Sequence, residues 1–264
     1  MRYKEVSFKS ILNKITKEDN LFLGNYTLDP YQNCEIGCIY CDSSLSNEII
    51  IKHQASELLK KEVGKIEGRV IIGSVHDPYQ KAEKRYKLTR EILKILNENK
   101  ICYHILTKSD LILRDIDILS KECIVTISLS TFSEEKSKIL EPFAPSPKTR
   151  IRIVERLNDH GIKSGIAIIP IIPFITDDEL EDIIKNASSR GARYILWEFL
   201  ELKGDQKNVF LSRFPHLVEE YKKIYSEGIK PDIRYRKKIN EKMNKLCRKY
   251  KIANTVKEAL DTCK

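Results

Sequence analysis

The sequence predicts an α/β fold, a partial (β/α)6 barrel followed by a C-terminal helical extension. Short apolar runs typical of buried strands alternate with amphipathic segments, which is the order expected of a parallel sheet with helical crossovers. The chain has 264 residues, which is enough for one such barrel. After residue 202 the strand signal fades while helical periodicity continues. We therefore expect a barrel domain over 1–202 and a basic helical extension over 203–264.

Six apolar segments are expected to form the parallel strands of the barrel. In chain order they are Asn25–Leu28, Arg69–Gly73, Ile101–Leu106, Ile124–Leu129, Ile162–Ile169 and Arg193–Phe199. Helical patterns occupy Lys81–Asn97, Pro147–His160 and Asp177–Ser189, and continue near 206–226, 236–250 and 254–262. Because parallel strands end at one edge of a sheet, the loops at their carboxyl ends should surround a common cleft.

The composition is that of a soluble globular protein, with 41% hydrophobic and 32% charged residues. The longest apolar run, Ile166–Ile175, is about half the length of a membrane span and is interrupted by Pro170 and Pro173. The first residues are polar and lack the apolar core of a secretory signal. We therefore expect a cytoplasmic location and no membrane partner.

The cysteines indicate a metal centre and not a disulfide framework. Their number is seven, which is odd, and no secretory signal accompanies them. Cys34, Cys38 and Cys41 fall within eight residues as a CxxxCxxC run, whereas Cys102, Cys123, Cys247 and Cys263 are scattered. Clustered thiolates select zinc or iron-sulfur clusters. Zinc would normally require a fourth ligand, typically from a second close pair that the sequence lacks. Three thiolates would leave one iron of a cluster open to another ligand.

The cysteine run resembles the signature of the radical S-adenosylmethionine superfamily, CxxxCxΦC, with Tyr40 at the aromatic position Φ. From about Leu28 to Leu200 the chain is similar to the branch that contains spore photoproduct lyase. The matching segments are Asp77-Pro78-Tyr79-Gln80 with Glu83, Leu106-Thr107-Lys108-Ser109, Ser128-Leu129-Ser130, Glu141-Pro142, Ala144-Pro145-Ser146-Pro147 with Arg150, and Pro170-Ile171-Ile172-Pro173. The resemblance implies a [4Fe-4S] cluster on the three cysteines and S-adenosylmethionine as cofactor.

Four further residues are expected at the cofactor. The resemblance implies that Lys108 and Ser128 contact the carboxylate or ribose of S-adenosylmethionine, that Asp77 contacts a ribose hydroxyl or the amino group, and that Tyr40 lies beside them. A lysine opposite a carboxylate is physically sensible. Alternatively, Lys108 is an exposed loop lysine and Asp77 only shapes a turn. Three other residues each have two possible roles. Glu141 and Arg150 form either a structural ion pair or part of the cofactor site. His76 either faces the cleft or is structural.

The chain also departs from the pattern of spore photoproduct lyase. Its lead-in to the first cysteine has Asp29, Gln32 and Asn33 where that branch has asparagine, arginine and glycine. Spore photoproduct lyase has a tyrosine directly after the third cysteine and a hydrogen-donating cysteine near the end of the second strand. Here Asp42 and the segment Gly73-Ser74-Val75-His76 occupy those neighbourhoods. Dimer splitting by the same hydrogen relay is therefore not expected.

The positive charge of the chain is concentrated in the extension. Residues 203–264 contain 17 Lys/Arg and 8 Asp/Glu, so they account for the net charge of +9, and residues 1–202 contain 30 of each sign. The basic residues and two interleaved tyrosines are Arg234, Tyr235, Arg236, Lys237, Lys238, Lys242, Lys245, Arg248, Lys249, Tyr250 and Lys251. Such a helix either follows a phosphate backbone of DNA or RNA or is a solvated face.

The resulting hypothesis is a radical enzyme that acts on a nucleic acid by lesion repair or base modification, reduced by an external donor of the ferredoxin or flavodoxin type. Two alternatives remain open from the sequence. One is a radical enzyme that modifies a peptide or small metabolite. The other is a non-catalytic iron-sulfur protein.

Overall fold

A computed structural model describes residues 1–261, which form ten strands and ten α-helices. The strands are β1 (Arg2–Glu5), β2 (Leu12–Lys14), β3 (Tyr26–Leu28), β4 (Tyr31–Gln32), β5 (Glu48–Ile51), β6 (Val70–Ile72), β7 (Tyr103–Thr107), β8 (Ile124–Ser128), β9 (Lys163–Ile171) and β10 (Ile195–Phe199). The helices are α1 (Ala55–Glu62), α2 (Glu83–Tyr86), α3 (Leu88–Glu98), α4 (Glu134–Leu140), α5 (Pro147–Asp159), α6 (Leu180–Ser189), α7 (Gly204–Arg213), α8 (Val218–Ile224), α9 (Ile233–Lys249) and α10 (Val256–Asp261). Short 3-10 turns occupy Asp42–Ser44, Val63–Lys65, Asp110–Asp115 and Pro215–Leu217.

The main sheet has seven strands in the order β10-β9-β8-β7-β6-β3-β2. Every neighbouring pair from β3 to β10 is parallel, and only the edge strand β2 runs antiparallel. The six parallel strands coincide with the six predicted segments to within a few residues. The α/β fold with a partial (β/α)6 barrel and a helical C-terminus is therefore confirmed.

The predicted helix Lys81–Asn97 is wrong in one respect, because it is two helices, α2 and α3. Lys87 between them has a left-handed backbone, with φ of 53°. The buried Glu83 carboxylate accepts hydrogen bonds from the backbone N–H groups of Thr89 (3.0 Å) and Arg90 (3.3 Å). A carboxylate that accepts the first free N–H groups of a helix favours a new start there, so α3 begins with only Lys87 between it and α2.

A second, three-stranded sheet of order β1-β5-β4 was not predicted. It lies against the cysteine loop. The Tyr3 hydroxyl of this sheet donates to the Glu35 carboxylate (2.8 Å), and the Asn33 side chain donates to the Glu48 carbonyl (2.7 Å). The sheet therefore supports the segment that holds the first cysteine.

The C-terminal helices pack onto the barrel. On α9, the buried residues Ile239, Met243, Leu246 and Cys247 belong to the same core as the sheet. Ala253, just before α10, forms a parallel bridge with Tyr194 at the start of the sixth parallel strand. The predicted segment 254–262 is helical as α10, and its last residue lies outside the described part of the chain. Within residues 1–261, no helix combines the length and apolar character needed to cross a membrane.

Candidate functional site

A cavity of about 680 Å³ opens at the carboxyl ends of the parallel strands. Its lining includes all seven residues that were predicted to bind the cluster or the cofactor, namely Cys34, Cys38, Tyr40, Cys41, Asp77, Lys108 and Ser128. Asp77 follows β6, Lys108 follows β7 and Ser128 ends β8, so the sheet itself brings these side chains to one place. The three cysteines come from the loop after β4.

The cysteine loop is fixed by its own backbone. The N–H of Cys34 donates to the Ser43 carbonyl (2.8 Å), and the N–H of Cys41 donates to the Cys38 carbonyl (3.1 Å). Gly37 has φ of +74°, and a Cβ at this position would lie 2.8 Å from the Phe143 ring. Glycine between the first two cysteines therefore allows both the left-handed turn and the close approach of the ring.

Side chains from the segment after β6 tie the same loop down. The Gln80 amide accepts from the Glu35 N–H (2.9 Å) and donates to the Asn33 carbonyl (3.1 Å). The Glu35 carboxylate accepts from the Ala82 N–H (2.6 Å). The Asp-Pro-Tyr-Gln segment that carried the resemblance is thus partly structural, because its glutamine positions the cysteine loop.

Two of the three thiols are buried, and the third, Cys41, is partly exposed. Cys34 and Cys38 are buried and pack with each other and with Cys41. Burial raises the pKa of Cys34 to about 12 and raises that of Cys38 as well. Cysteine ligands bind metals as thiolates, so metal binding here must displace thiol protons. Among the described residues, no three His, Cys, Asp or Glu side chains are placed to hold a single metal ion.

Asp77 is held by the strands around it. Its Oδ1 accepts from the Thr107 hydroxyl (2.7 Å) and from the Tyr79 N–H (2.9 Å), and its Oδ2 accepts from the Lys108 N–H (2.7 Å). Burial raises the pKa of this carboxyl. Asp77 thus shapes the turn after β6, as one sequence interpretation had it, and it also lines the cavity.

A buried polar network links Lys108 to the cysteine loop. The Tyr40 hydroxyl donates to the Glu141 carboxylate and lies 3.0 Å from the Ser130 hydroxyl. The Lys108 Nζ lies 3.9 Å from Glu141 Oε1. Burial opposes the charge of Glu141, but Arg150 and Lys108 outweigh it and lower the pKa of this carboxyl. The alternative that Lys108 is an exposed loop residue is wrong, because its side chain is only 16% exposed and lies beside this buried network.

Arg150 closes this network from below. Its Nη2 lies 2.6 Å from Glu141 Oε2, and both side chains are fully buried. Its Nη1 donates to the Ser128 carbonyl (3.0 Å). Of the two roles left open for Glu141 and Arg150, the structure shows the ion pair. Neither Glu141 nor Arg150 is among the described residues that line the cavity.

The far wall of the cavity was not predicted. It contains Glu198 and Glu201 near the end of β10, together with Lys203, Gln206 and Lys230. Lys203 pairs with Glu201 (2.8 Å), and Lys230 lies 3.3 Å from both Glu198 and Glu201. Glu198 and Glu201 follow the rule that polar side chains at the carboxyl ends of parallel strands mark a site. Gln206 comes from α7, and Lys203 and Lys230 come from the segments that precede α7 and α9, which carry no such signal.

Several other candidates do not line the cavity. His76 is not among its lining residues, and burial lowers its pKa to about 4. Cys123 is buried just before β8 and Cys247 is buried in α9, but Cys102 is exposed. Cys123 is therefore a small buried apolar residue, whereas Cys102 is not. Cys263 lies outside the described residues.

Comparison with known sequences finds relatives along most of the chain. A protein from Methanocaldococcus jannaschii is 31% identical over 85% of this chain and 86% of its own length. A protein from Mycobacterium tuberculosis is 26% identical over 95% of this chain and 82% of its own length. Both relatives are described as uncharacterized.

Comparison with solved structures identifies the same fold. A spore photoproduct lyase mutant with dinucleoside spore photoproduct has a TM-score of 0.73 at 14% identity, covering 93% of this chain and 79% of that one. SuiB from Streptococcus suis, bound to S-adenosylmethionine, has a TM-score of 0.55 at 17% identity, covering 74% of this chain and 47% of that one.

The family model described as the Radical SAM superfamily matches residues 28–187. This span begins at the last residue of β3, includes all three cysteines of the loop, and ends within α6. It covers more than half of the chain and the greater part of the cavity wall. The chain is therefore a member of the Radical SAM superfamily.

Proposed function

We propose that this protein is an enzyme that uses a [4Fe-4S] cluster and S-adenosylmethionine to start radical chemistry on a base of a nucleic acid. The observation that supports it most is the single cavity in which three cysteines face the ends of the parallel strands. When bound, the cluster would supply the one electron for reductive cleavage of S-adenosylmethionine, chemistry that yields methionine and, after hydrogen is taken from a substrate, 5′-deoxyadenosine.

The residues present fit such a cluster. Cys34, Cys38 and Cys41 would provide three thiolates, and soft thiolates are the usual ligands of iron-sulfur clusters. The wall around Cys34 and Cys38 is buried, so a cluster there would be shielded from water. The Lys108 ammonium lies in the same cavity and favours the thiolate form of both buried cysteines.

The chain itself would orient the cofactor. Lys108 remains charged because, although burial opposes its charge, Cys38 and Glu141 raise the pKa of its ammonium. We assign it the carboxylate of S-adenosylmethionine. Ser128 and Asp77 line the same cavity and would contact the amino or ribose groups. Arg150 holds the Ser128 carbonyl, and Thr107 at the end of β7 holds the Asp77 carboxylate.

Two observations support a nucleic acid as substrate. Solved structures of similar fold include spore photoproduct lyases with a dinucleoside spore photoproduct. In addition, α9 exposes Arg234, Lys237, Lys238, Lys245 and Arg248. Its first turn lies beside the cavity, because Tyr235 contacts Phe199, a cavity residue, with ring centroids 6.2 Å apart. A base would have to leave its stack to enter the cavity.

A peptide substrate is the second candidate. It is supported by the likeness to SuiB, which has been solved with its precursor peptide SuiA at a TM-score of 0.54. The likeness covers 45% of that chain, compared with 79% for the lyase. The exposed cations of α9 favour a nucleic acid, which is a polyanion, over a peptide as the substrate.

The proposed chemistry differs from dimer splitting by a protein hydrogen relay. Within the described residues, the cysteines and tyrosines that line the cavity are Cys34, Cys38, Tyr40 and Cys41. Ser74 lines the cavity near the end of β6 and lies 3.4 Å from an Asp29 oxygen. We therefore propose base modification, or a repair that ends by another route, with a separate protein of the ferredoxin or flavodoxin type as electron donor.

The test uses oxygen-free reconstituted protein and a matched pair of cysteine variants. Cys38→Ala should lose both the brown cluster colour and the formation of 5′-deoxyadenosine. Cys123→Ala, which removes a buried thiol outside the cavity, should retain both. Full 5′-deoxyadenosine formation by Cys38→Ala would refute the assignment.

The substrate class is tested by isotope transfer. Deuterated oligonucleotides and deuterated peptides are incubated separately with the reduced protein and S-adenosylmethionine. We expect deuterium in 5′-deoxyadenosine only with an oligonucleotide. Label from peptides alone would favour the second candidate.

A further inference from the structure

Gln206 is a buried amide without partners on the wall of the cavity. It lies in the first turn of α7 and is 1% exposed. Neither its Nε2 nor its Oε1 has a hydrogen-bond partner. Among residues 1–261, it is the one side chain for which two buried polar atoms are left in this way. Buried polar groups are nearly always paired, so an amide left wholly unpaired needs an explanation.

A second unpaired group lies on the same wall. The hydroxyl of Ser44 is buried and has no hydrogen-bond partner. Ser44 belongs to the 3-10 turn Asp42–Ser44, directly after the third cysteine, and α7 begins next to this turn. A Cβ at Gly204, the first residue of α7, would lie 3.8 Å from the Asp42 carboxylate. Both Ser44 and Gln206 line the cavity.

Gln80 shows what a structural buried glutamine looks like in this protein. It is also 1% exposed, but its amide accepts from the Glu35 N–H and donates to the Asn33 carbonyl. The comparison indicates that Gln206 is not placed to hold the protein together. Its partner would be a molecule that enters the cavity.

The charges near Gln206 limit the kind of molecule. Lys203 and Lys230, the cations of this wall, already pair with Glu198 and Glu201. Among the described residues of this wall, a phosphate would find no unpaired cation. An amide offers one donor and one acceptor side by side, which complements a neutral planar group with an acceptor and a donor on one edge. Nucleobases have such edges, and glutamine binds adenine through two hydrogen bonds of this type.

We propose that Ser44 and Gln206 form a subsite that binds the hydrogen-bonding edge of a nucleobase inside the cavity. The inference deepens the proposed function and rests on it. Such an edge occurs in two molecules of the proposed reaction, in the adenine of S-adenosylmethionine and in a base of the nucleic acid. The subsite lies beyond the third cysteine, on the wall formed by the Asp42–Ser44 turn and the start of α7.

The test compares Gln206→Leu with Gln80→Leu in two measurements. Leucine replaces the amide with an apolar side chain of similar size. Because the Gln206 amide is unpaired in the free protein, Gln206→Leu should leave the urea midpoint unchanged or raise it, whereas Gln80→Leu should lower it. Loss of stability in Gln206→Leu equal to that in Gln80→Leu would overturn the proposal.

Binding is measured by calorimetry on reconstituted protein, first with S-adenosylhomocysteine and then with a short single-stranded oligonucleotide. Because Gln206→Leu removes two neutral hydrogen bonds, the Kd of the probe that occupies the subsite should rise about tenfold. Ser44→Ala should raise the same Kd by a smaller factor. Weaker binding of S-adenosylhomocysteine alone assigns the subsite to adenine, and weaker binding of the oligonucleotide alone assigns it to the substrate base.

Unchanged affinity for both probes in Gln206→Leu would overturn the subsite. The proposed substrate class fails separately, if the wild-type protein binds no oligonucleotide at low salt. In that case the S-adenosylhomocysteine measurement still decides whether Gln206 binds a nucleobase.

Discussion

Glu141 and Arg150 form a fully buried ion pair that joins three parts of the site. Glu141 accepts from Tyr40 of the cysteine loop and lies 3.9 Å from the Lys108 ammonium. Arg150 holds the Ser128 carbonyl at the end of β8. The pair therefore positions the residues to which we assign the cofactor, without itself lining the cavity.

Replacing one member of this pair should be costly. Glu141→Gln leaves the Arg150 charge buried without its counterion, so we expect the free energy of unfolding to fall by about 3–5 kcal/mol. Urea unfolding at neutral pH measures it. The double variant Glu141→Gln with Arg150→Met removes the uncompensated charge and should recover part of the loss. A double variant no more stable than Glu141→Gln alone would contradict this.

His104 should make the fold sensitive to acid. It is fully buried, with Nδ1 2.9 Å from the Phe22 carbonyl and Nε2 2.6 Å from the Thr126 hydroxyl. Burial lowers its pKa to about 4, so the folded state favours the neutral ring. The contribution of the neutral His104 ring to the free energy of unfolding is complete above the unfolded pKa of about 6.5. It is lost as the pH falls toward 4, by up to about 3 kcal/mol.

The measurement is urea unfolding at several pH values between 7 and 4. His104→Gln should flatten the decline in stability over this range, and the exposed His53→Gln should not. His76, whose pKa burial also lowers to about 4, accounts for part of the slope that remains. Equal slopes in the wild type and His104→Gln would show that this histidine does not titrate as described.

At the residue scale, the sequence located the side chains that are tied to strand ends or to the cysteine motif. Asp77, Lys108 and Ser128 follow three neighbouring strands, so the sheet geometry alone predicts that they converge. Ser44 and Gln206 were not predicted. Their position on one wall of the cavity depends on how α7 packs against the turn after Cys41, and no local pattern determines that packing.

The cysteine loop is the element on which the site depends most. Gly37 and Gly161 both adopt a left-handed backbone, with φ of +74° and +75°. The space at Gly161 is open, whereas Gly37 faces Phe143 and Pro142. Alanine at either position should reduce stability by about 1–2 kcal/mol, because the left-handed region disfavours a Cβ.

Only Gly37→Ala should also affect the cluster, because it displaces the backbone between Cys34 and Cys38. We expect a lower iron content per protein after reconstitution in Gly37→Ala and an unchanged content in Gly161→Ala. Iron and acid-labile sulfide analysis measures both. Equal iron content in the two variants would mean that the loop tolerates the change.

At the scale of elements, long and strongly patterned segments were predictable. The six parallel strands and α5 agree with their apolar periodicity and with the Ser146-Pro147 start of that helix. The small sheet was missed because β1 and β5 have four residues each and β4 has two, too few for a pattern. The break between α2 and α3 depends on Glu83, whose capping contacts exist only after its side chain is buried.

At the scale of the whole molecule, charge and architecture are separated. The barrel segment 1–202 has equal numbers of each charge, and the extension carries the net positive charge. Some of the cations of α9 are engaged, since Lys242 donates to the Asp177 carbonyl (2.7 Å) and Lys249 pairs with Glu181 (2.6 Å). Composition predicted the basic extension. It did not predict that α9 would begin beside the cavity, which results from the contact between Tyr235 and Phe199.

The exposed cations of α9 should account for the salt dependence of nucleic acid binding. Replacing Arg234, Lys238, Lys245 and Arg248 by glutamine should reduce the slope of log K against log salt by about 0.7–0.9 for each cation that contacts a phosphate. The control replaces the exposed residues Lys60, Lys61, Lys84 and Lys100, which lie outside the extension. An identical slope in both variants would exclude α9 as the contact surface.

The most direct test of the cavity's chemistry is electron paramagnetic resonance of the reduced, oxygen-free protein with and without S-adenosylmethionine. If Cys34, Cys38 and Cys41 leave one iron of a [4Fe-4S] cluster open, the spectrum should change when S-adenosylmethionine is added. A cluster whose spectrum is the same in both samples would contradict the proposal that one iron is open to S-adenosylmethionine.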